Sequence, residues 1–164
     1  MDFLLLAFLI LLNGVFAMSE MALAASRKAR LQAMVETGDA GAAAAMGLHD
    51  NPTQFLSTVQ IGITSIGILN GIVGEAAFSA PLADWLEAQF EVPQRIADIV
   101  SLAGVVVIIT YLTIVFGELV PKRIGQMYPE TVARLVARPM AVLSLVARPF
   151  VRLLSASTHG MLSV

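Results

Sequence analysis

The sequence predicts an all-α membrane protein, with three transmembrane helices and juxtamembrane amphipathic helices that form a cytoplasmic belt. Three observations carry this reading. Of 164 residues, 57% are hydrophobic and 13% charged, about half the charge of a soluble domain. Three apolar runs are each long enough for a hydrocarbon core, which takes about 20 helical residues. The segments flanking those runs are basic, then acidic, then basic, so one topology satisfies them all. Cysteine is absent, which excludes disulfides and thiolate metal sites. The net charge is only −2, and the cations are not interleaved with aromatics, so nucleic acid is not an expected partner.

The first span, residues 3–25, holds one charge, Glu20. Ala22, Ala24 and Ala25 resemble a signal-cleavage site. However, Asp2 follows Met1 where a cation would be expected, and Arg27, Lys28 and Arg30 follow the apolar run, the reverse of a signal peptide. The N-terminus is therefore expected outside a bacterial-type inner (plasma) membrane. The Ala-rich, mixed-charge segment 26–50 is expected to form one or two cytoplasmic helices. Asn51-Pro52-Thr53 starts the second span, residues 55–74, with proline at an early helical position. Thr58, Gln60, Thr64, Ser65 and Asn70 make this span unusually polar, and so suited to packing against protein. The connection 75–98 carries Glu75, Asp84, Glu87, Glu91 and Asp98 against Arg95 alone, which places it outside. The third span, residues 99–120, again holds one charge, Glu118, and Lys122 and Arg123 mark its inner end.

Residues 122–164 read as cytoplasmic. VARPMAVL at 136–143 is echoed by VARPFVRLL at 146–154, and Arg134/Arg138 and Arg148/Arg152 each lie one turn apart. Pro139 and Pro149 are expected to interrupt any continuous span. The tail is thus read as interfacial amphipathic helices whose arginines meet anionic headgroups; a fourth transmembrane helix is the alternative. The close on His159-Gly160 and MLSV is expected of a membrane domain whose natural chain continues.

Ionisable groups in membrane segments default to a functional hypothesis. Glu20 lies seven residues before Arg27 and Glu118 four before Lys122, about 6–10 Å inside the cytoplasmic boundary. At this shared depth the two carboxylates are expected to form part of one cation site; snorkelling or pairing with a nearby cation is the alternative. Pro121 lacks the N–H that would bond the Gly117 carbonyl, so a kink frees that oxygen beside Glu118. Irregular backbone at membrane depth is tolerated where it lines a cavity. Asn13, Ser19, Gln60, Thr64 and Asn70 supply further oxygens, each of which could equally serve helix packing. His49 and His159 lie outside the spans, so the ligands are oxygen and the expected cations hard ones, Mg²⁺ or Na⁺. No nucleophile–base pair points to an enzyme.

The pattern N-G-x-F-A-x-S-E-x-A-L over Asn13–Leu23, the Q-I-G of the second span and G-E-L-V-P-K-R over Gly117–Arg123 resemble the CorC/CNNM transmembrane domain (DUF21). The resemblance covers essentially the whole chain. It implies a homodimer of three-helix protomers in the lipid bilayer, with a cytoplasmic belt, and Mg²⁺ export possibly coupled to Na⁺. It also implies a following CBS-domain pair, absent from this chain, to which any ATP binding would belong. By the same resemblance Glu118 matches the acidic residue of the ion site, Gly117 and Pro121 the kink, and Ser19 and Glu20 the S-E pair. Asn70 is the expected second-helix ligand. Asn13, Gln60 and Thr64 are expected to bind the substrate. The chain departs from the pattern at Ala17, where many members carry a hydroxyl, and at Ile63, where many carry Asn. S-E-M-A-L-A-A-S-R-K, V-Q-I-G and G-I-V-G-E-A-A-F-S are similar to the YtfL-type branch, linked to polyamine export. The expected function is Mg²⁺ export; polyamine (putrescine or cadaverine) export and cation sensing without transport are the alternatives.

Overall fold

The computed structural model describes residues 1–163, and every element in them is helical. Helix α1, Asp2–Ala25, ends where Ser26 turns extended and returns its hydroxyl to the Leu23 carbonyl at 2.9 Å. The segment expected to hold one or two helices holds two, α2 (Lys28–Glu36) and α3 (Ala40–Asp50), joined through Gly38 at φ +90°. That backbone region favours glycine. Asp39 caps α3 by accepting the Ala42 N–H at 3.0 Å.

Helix α4, Pro52–Phe90, is much longer than expected. Its 39 residues rise about 58 Å, so it runs on through most of the segment read as an external connection. Alanines at 76, 77, 80, 83 and 88 sustain the helix, and the exposed Pro81 does not break it. It ends at Glu91, in the left-handed region at φ 50°, just before Val92-Pro93; the residue ahead of a proline is biased away from helix. Helix α5, Gln94–Ile114, then leads through a π-helical turn, Val115–Leu119, into α6, Val120–Met127. The tail is one helix, α7, Pro129–Leu162.

Four helices are long and apolar enough to cross a membrane: α1, α4, the α5–α6 rod and α7. The sequence reading expected three; the fourth that length and composition admit is α7, the alternative it named. Its Val132, Ala133, Ala137, Met140, Ser144, Ala147 and Val151 form one buried stripe, spaced three or four apart as helix packing requires. Pro139 and Pro149 lie exposed off that stripe. The stripe holds together what the prolines were expected to interrupt. Along it, Arg134 pairs with Asp39 at 3.1 Å, and the Ser144 carbonyl accepts Gln54 Nε2 at 3.0 Å. Helix α7 therefore meets α4 in the first turn of α4.

The main core joins α1, α2, α3, α4 and α7, with Leu31, Ala42, Ala45, Phe55 and Val59 at its centre. A smaller cluster, Leu6, Ile10, Val105 and Ile109, seals α1 against α5. The crossing of α1 and α6 is close because Gly125 carries no side chain: a Cβ there would lie 2.7 Å from the Met18 carbonyl oxygen and 3.0 Å from the Ala22 nitrogen. Both are backbone atoms and cannot rotate away. Gly125→Ala is expected to lower the stability of the detergent-solubilised protein by about 1–3 kcal/mol. Gly160→Ala, where a Cβ would meet nothing within 4 Å, should leave the melting temperature within error or raise it.

The α3–α7 contact has a charge dependence of its own. The Ala42 N–H above all, with the Arg134 guanidinium beside it, holds the Asp39 carboxyl below the ordinary aspartate range against the opposing effect of burial. A group with a depressed folded pKa stabilises fully above its unfolded pKa, and loses that contribution as pH falls through the folded value. Asp39→Asn, which keeps a capping side chain, is therefore expected to flatten the acid limb of a melting-temperature profile below the ordinary aspartate range. The profile near neutral pH should shift down without changing slope.

Candidate cation-binding site

Pro121 sets the local geometry. It cannot donate to the Gly117 carbonyl, and the sequence reading expected a kink at this point, within a rod that stays helical throughout. The backbone widens there into the π turn, with the Val120 N–H bonded to the Val115 carbonyl. Such single π turns concentrate at functional sites. The freed Gly117 oxygen accepts the Asn13 amide from α1 at 3.0 Å. Two glycines permit this approach. A Cβ on Gly117 would lie 3.1 Å from Asn13 Nδ2, and one on Gly14 would lie 2.9 Å from Pro121 Cγ. Asn13 is buried, and its Oδ1 has no partner.

On the other face of the rod lies a cavity of about 250 Å³. Gly67, Asn70 and Gly71 of α4 form one wall, Thr110 and Thr113 of α5 the other, and Glu118 of the π turn one end. Asn70 is 1% exposed, and neither its amide nitrogen nor its oxygen has a partner; Thr113 Oγ1 is likewise unpaired. Each such orphan costs about 1–3 kcal/mol, and buried polar groups are otherwise nearly always paired. Glu118 has no ion pair among the described residues. A larger cavity of about 460 Å³, lined by Phe3, Leu6, Phe78, Leu82 and Trp85, offers no comparable polar group.

The remaining expected site residues lie elsewhere. Glu20 does not line this cavity; its carboxylate meets Lys122 Nζ at 3.6 Å, with both side chains about one-third exposed. The pairing alternative thus describes Glu20, and in water such a pair is worth about 0–1 kcal/mol. The Ser19 hydroxyl donates to the Val15 carbonyl at 2.6 Å. Gln60 donates to Thr64 at 3.2 Å on an exposed face of α4. The structure therefore unites Asn70 with Glu118 and Asn13 with Gly117, and separates Ser19, Glu20, Gln60 and Thr64 from the cavity. Thr110 and Thr113 were not anticipated. Their signal is two threonines three residues apart in a run of aliphatic and aromatic residues, the second lying one to two turns before Glu118.

No group of three or more His, Cys, Asp or Glu side chains occurs among the described residues. A cation in the cavity would meet one carboxylate, that of Glu118, and two neutral oxygens, Asn70 Oδ1 and Thr113 Oγ1. Mg²⁺ is commonly held by one or two carboxylates while keeping several waters, so this donor set is compatible with a hydrated Mg²⁺. It is equally compatible with an ammonium group, which seeks acceptors alone.

Long apolar helices flanking a half-open groove that holds unpaired polar groups define a multi-pass membrane domain with a candidate site. The chain belongs to the family described as the cyclin M transmembrane N-terminal domain, CNNM, which matches residues 4–164. A UPF0053 protein of Synechocystis is 43% identical over 156 residues, 94% of this chain and 34% of that protein. A polyamine export protein of Salmonella typhimurium is 37% identical over 153 residues, 93% of this chain and 34% of its own. The UPF0053 protein YhdP of Bacillus subtilis is 32% identical over 158 residues, 96% of this chain and 35% of its own. The chain spans about a third of the length of these curated relatives.

Asn70 offers a direct test of whether the orphaned groups are kept for a ligand. Replacing an unsatisfied buried polar side chain by an apolar one of similar size removes a desolvation penalty. Asn70→Leu is expected to raise the melting temperature while weakening cation binding at least tenfold, a stability–function exchange. Calorimetry and binding on the same preparation would read both; a destabilised variant with intact binding would contradict the assignment.

Proposed function

We propose that this domain exports a cation across the membrane through the cavity beside Glu118, with a polyamine as its cargo. The observation that carries this reading is Asn70, buried with both polar atoms unpaired and facing the one unpaired carboxylate of the cavity. The relative at 37% identity called a polyamine export protein supports the choice of cargo, as does the single carboxylate, since an alkylammonium needs only one. Mg²⁺ export, possibly coupled to Na⁺, is the second reading, favoured by a donor set made entirely of oxygen.

The working arrangement we propose is a homodimer in a bacterial-type inner membrane, with the N-terminus outside and α2, α3 and α7 at the cytoplasmic face. The arginines of α7 would then meet anionic headgroups, worth about 1 kcal/mol each. In this reading nothing in the chain is an enzyme.

Purified protein in proteoliposomes tests the proposal. Glu118→Gln is expected to weaken putrescine binding about 10- to 100-fold, as loss of a charge-assisted hydrogen bond predicts, and to abolish flux. Retention of Mg²⁺ and putrescine binding at the parent level would show that the site lies elsewhere. Specific binding with no cation movement in either direction would favour a sensor over a transporter.

A further inference from the structure

Resting on the Glu118 site just proposed, we infer that the cavity recognises one ammonium and the hydrocarbon next to it. Its ligand class is then the primary alkylamine, and a diamine is held by one end. The order of the lining residues leads to this. Gly74 of α4 admits Ile109 of α5, and Ser79 bonds to Ser101 further on, so the two helices run antiparallel. Four residues back from Gly74 and four on from Ile109 stand Asn70 and Thr113, which are therefore level. Both line the cavity, and both carry buried, unpaired polar atoms. Glu118 closes this end, five residues beyond Thr113 and about 7 Å along the rod. The other end is hydrocarbon: Val105, Val106 and Ile109 line it, with Thr110 at an exposed rim. Among the described residues Glu118 is the only charged side chain that lines the cavity.

An ammonium donates hydrogen bonds and accepts none. It belongs at the end where the Glu118 carboxylate, Asn70 Oδ1 and Thr113 Oγ1 are found. The stem of the amine then leads toward Ile109 and Val106, where carbon packs on carbon and water is displaced. Each methylene taken fully from water is worth about fourfold in affinity. A second ammonium at the far end of that stem would exchange water for aliphatic side chains and one neutral hydroxyl, that of Thr110. Burying a charge without an opposite charge is costly, so the distal amine adds nothing to affinity or lowers it. A hydrated divalent cation gains nothing from the aliphatic wall. Gly71 keeps the passage between the two ends open: it lines the cavity near the level of Thr113, and a Cβ on it would meet nothing within 4 Å.

The test is calorimetry of methylamine, butylamine and putrescine on the full chain in lipid nanodiscs. Butylamine is expected to bind about 10- to 50-fold more tightly than methylamine, through three methylenes partly or wholly removed from water. Putrescine should exceed butylamine by no more than about twofold, the statistical advantage of two equivalent ends. Gly71→Val places a side chain in the passage, and is expected to remove most of butylamine's advantage while leaving methylamine binding within about twofold of the parent. The comparison of amines on the parent protein needs no variant, so it stands if Gly71→Val does not fold. Methylamine binding as tightly as butylamine, or putrescine binding clearly more tightly than its two ends allow, would overturn the inference. If Glu118→Gln still abolishes binding of all three, the Glu118 site is left standing. An undiminished advantage of butylamine in Gly71→Val would also overturn it, since the stem would not follow this passage. Amine binding that survives Glu118→Gln, or Mg²⁺ binding with no amine binding, would instead remove the reading on which the inference rests.

Discussion

The architecture of the site follows from one missing hydrogen-bond donor. Proline at position 121 leaves the Gly117 carbonyl without its helical partner, and in a hydrocarbon setting an unpaired backbone oxygen costs several kcal/mol. Two responses are visible together. The chain widens into the π turn, and Asn13 enters from α1 to donate its amide. That entry requires the backbones to lie close, which is why glycines stand at 14, 117 and 125, where side chains would collide with the opposing helix. The packing of α1 on the third helical rod is in this sense a consequence of Pro121.

The same turn separates the two faces of the rod in chemical character. Toward α1 the polar groups are mostly paired: Gly117 with Asn13, Lys122 with Glu20, and Ser19 with its own backbone. Toward α4 they are not, and Asn70, Thr113 and Glu118 surround open space. Random imperfection would scatter orphaned groups around the bundle. Three of the four orphaned atoms among the described residues, those of Asn70 and Thr113, instead line a single cavity, as a ligand site requires. Further from Glu118 along the α4–α5 pair the polar groups are paired, with Ser79 and Ser101 hydrogen-bonded at 3.3 Å, and Gly74 admits Ile109.

The helical class and the membrane setting were legible because composition and run length report them directly. Glu118, Gly117 and Pro121 were legible because a carboxylate and a proline in an apolar run each conflict with their surroundings, and such local conflict marks functional sites. Helix ends were not legible. Pro139 and Pro149 read as breaks, but the helix runs on through both, with the prolines on its exposed side. Whether tertiary packing outweighs the lost hydrogen bonds depends on a buried stripe that only the assembled bundle reveals. Equal depth similarly suggested that Glu20 and Glu118 share one site, but depth fixes one coordinate and leaves the direction around each helix open. Glu20 turns toward Lys122, and Thr113, a hydroxyl easily dismissed as helix packing, turns toward Glu118's cavity.

This division of roles bears on how a membrane domain can hold a cation and still let it go. A site built from several carboxylates would bind a cation tightly and release it slowly, since each further charge deepens the well in a medium of low dielectric constant. Here the cavity contributes one charge and several dipoles, and the second carboxylate in the same helical layer is already neutralised by a lysine. The resident charge is therefore small, which also limits the penalty of keeping it at membrane depth when the cavity holds no cargo. Neutral donors such as Asn70 and Thr113 add direction without adding charge, and their unpaired state keeps them available. A shallow well with oriented donors suits passage, where entry and exit must both be accessible, better than storage.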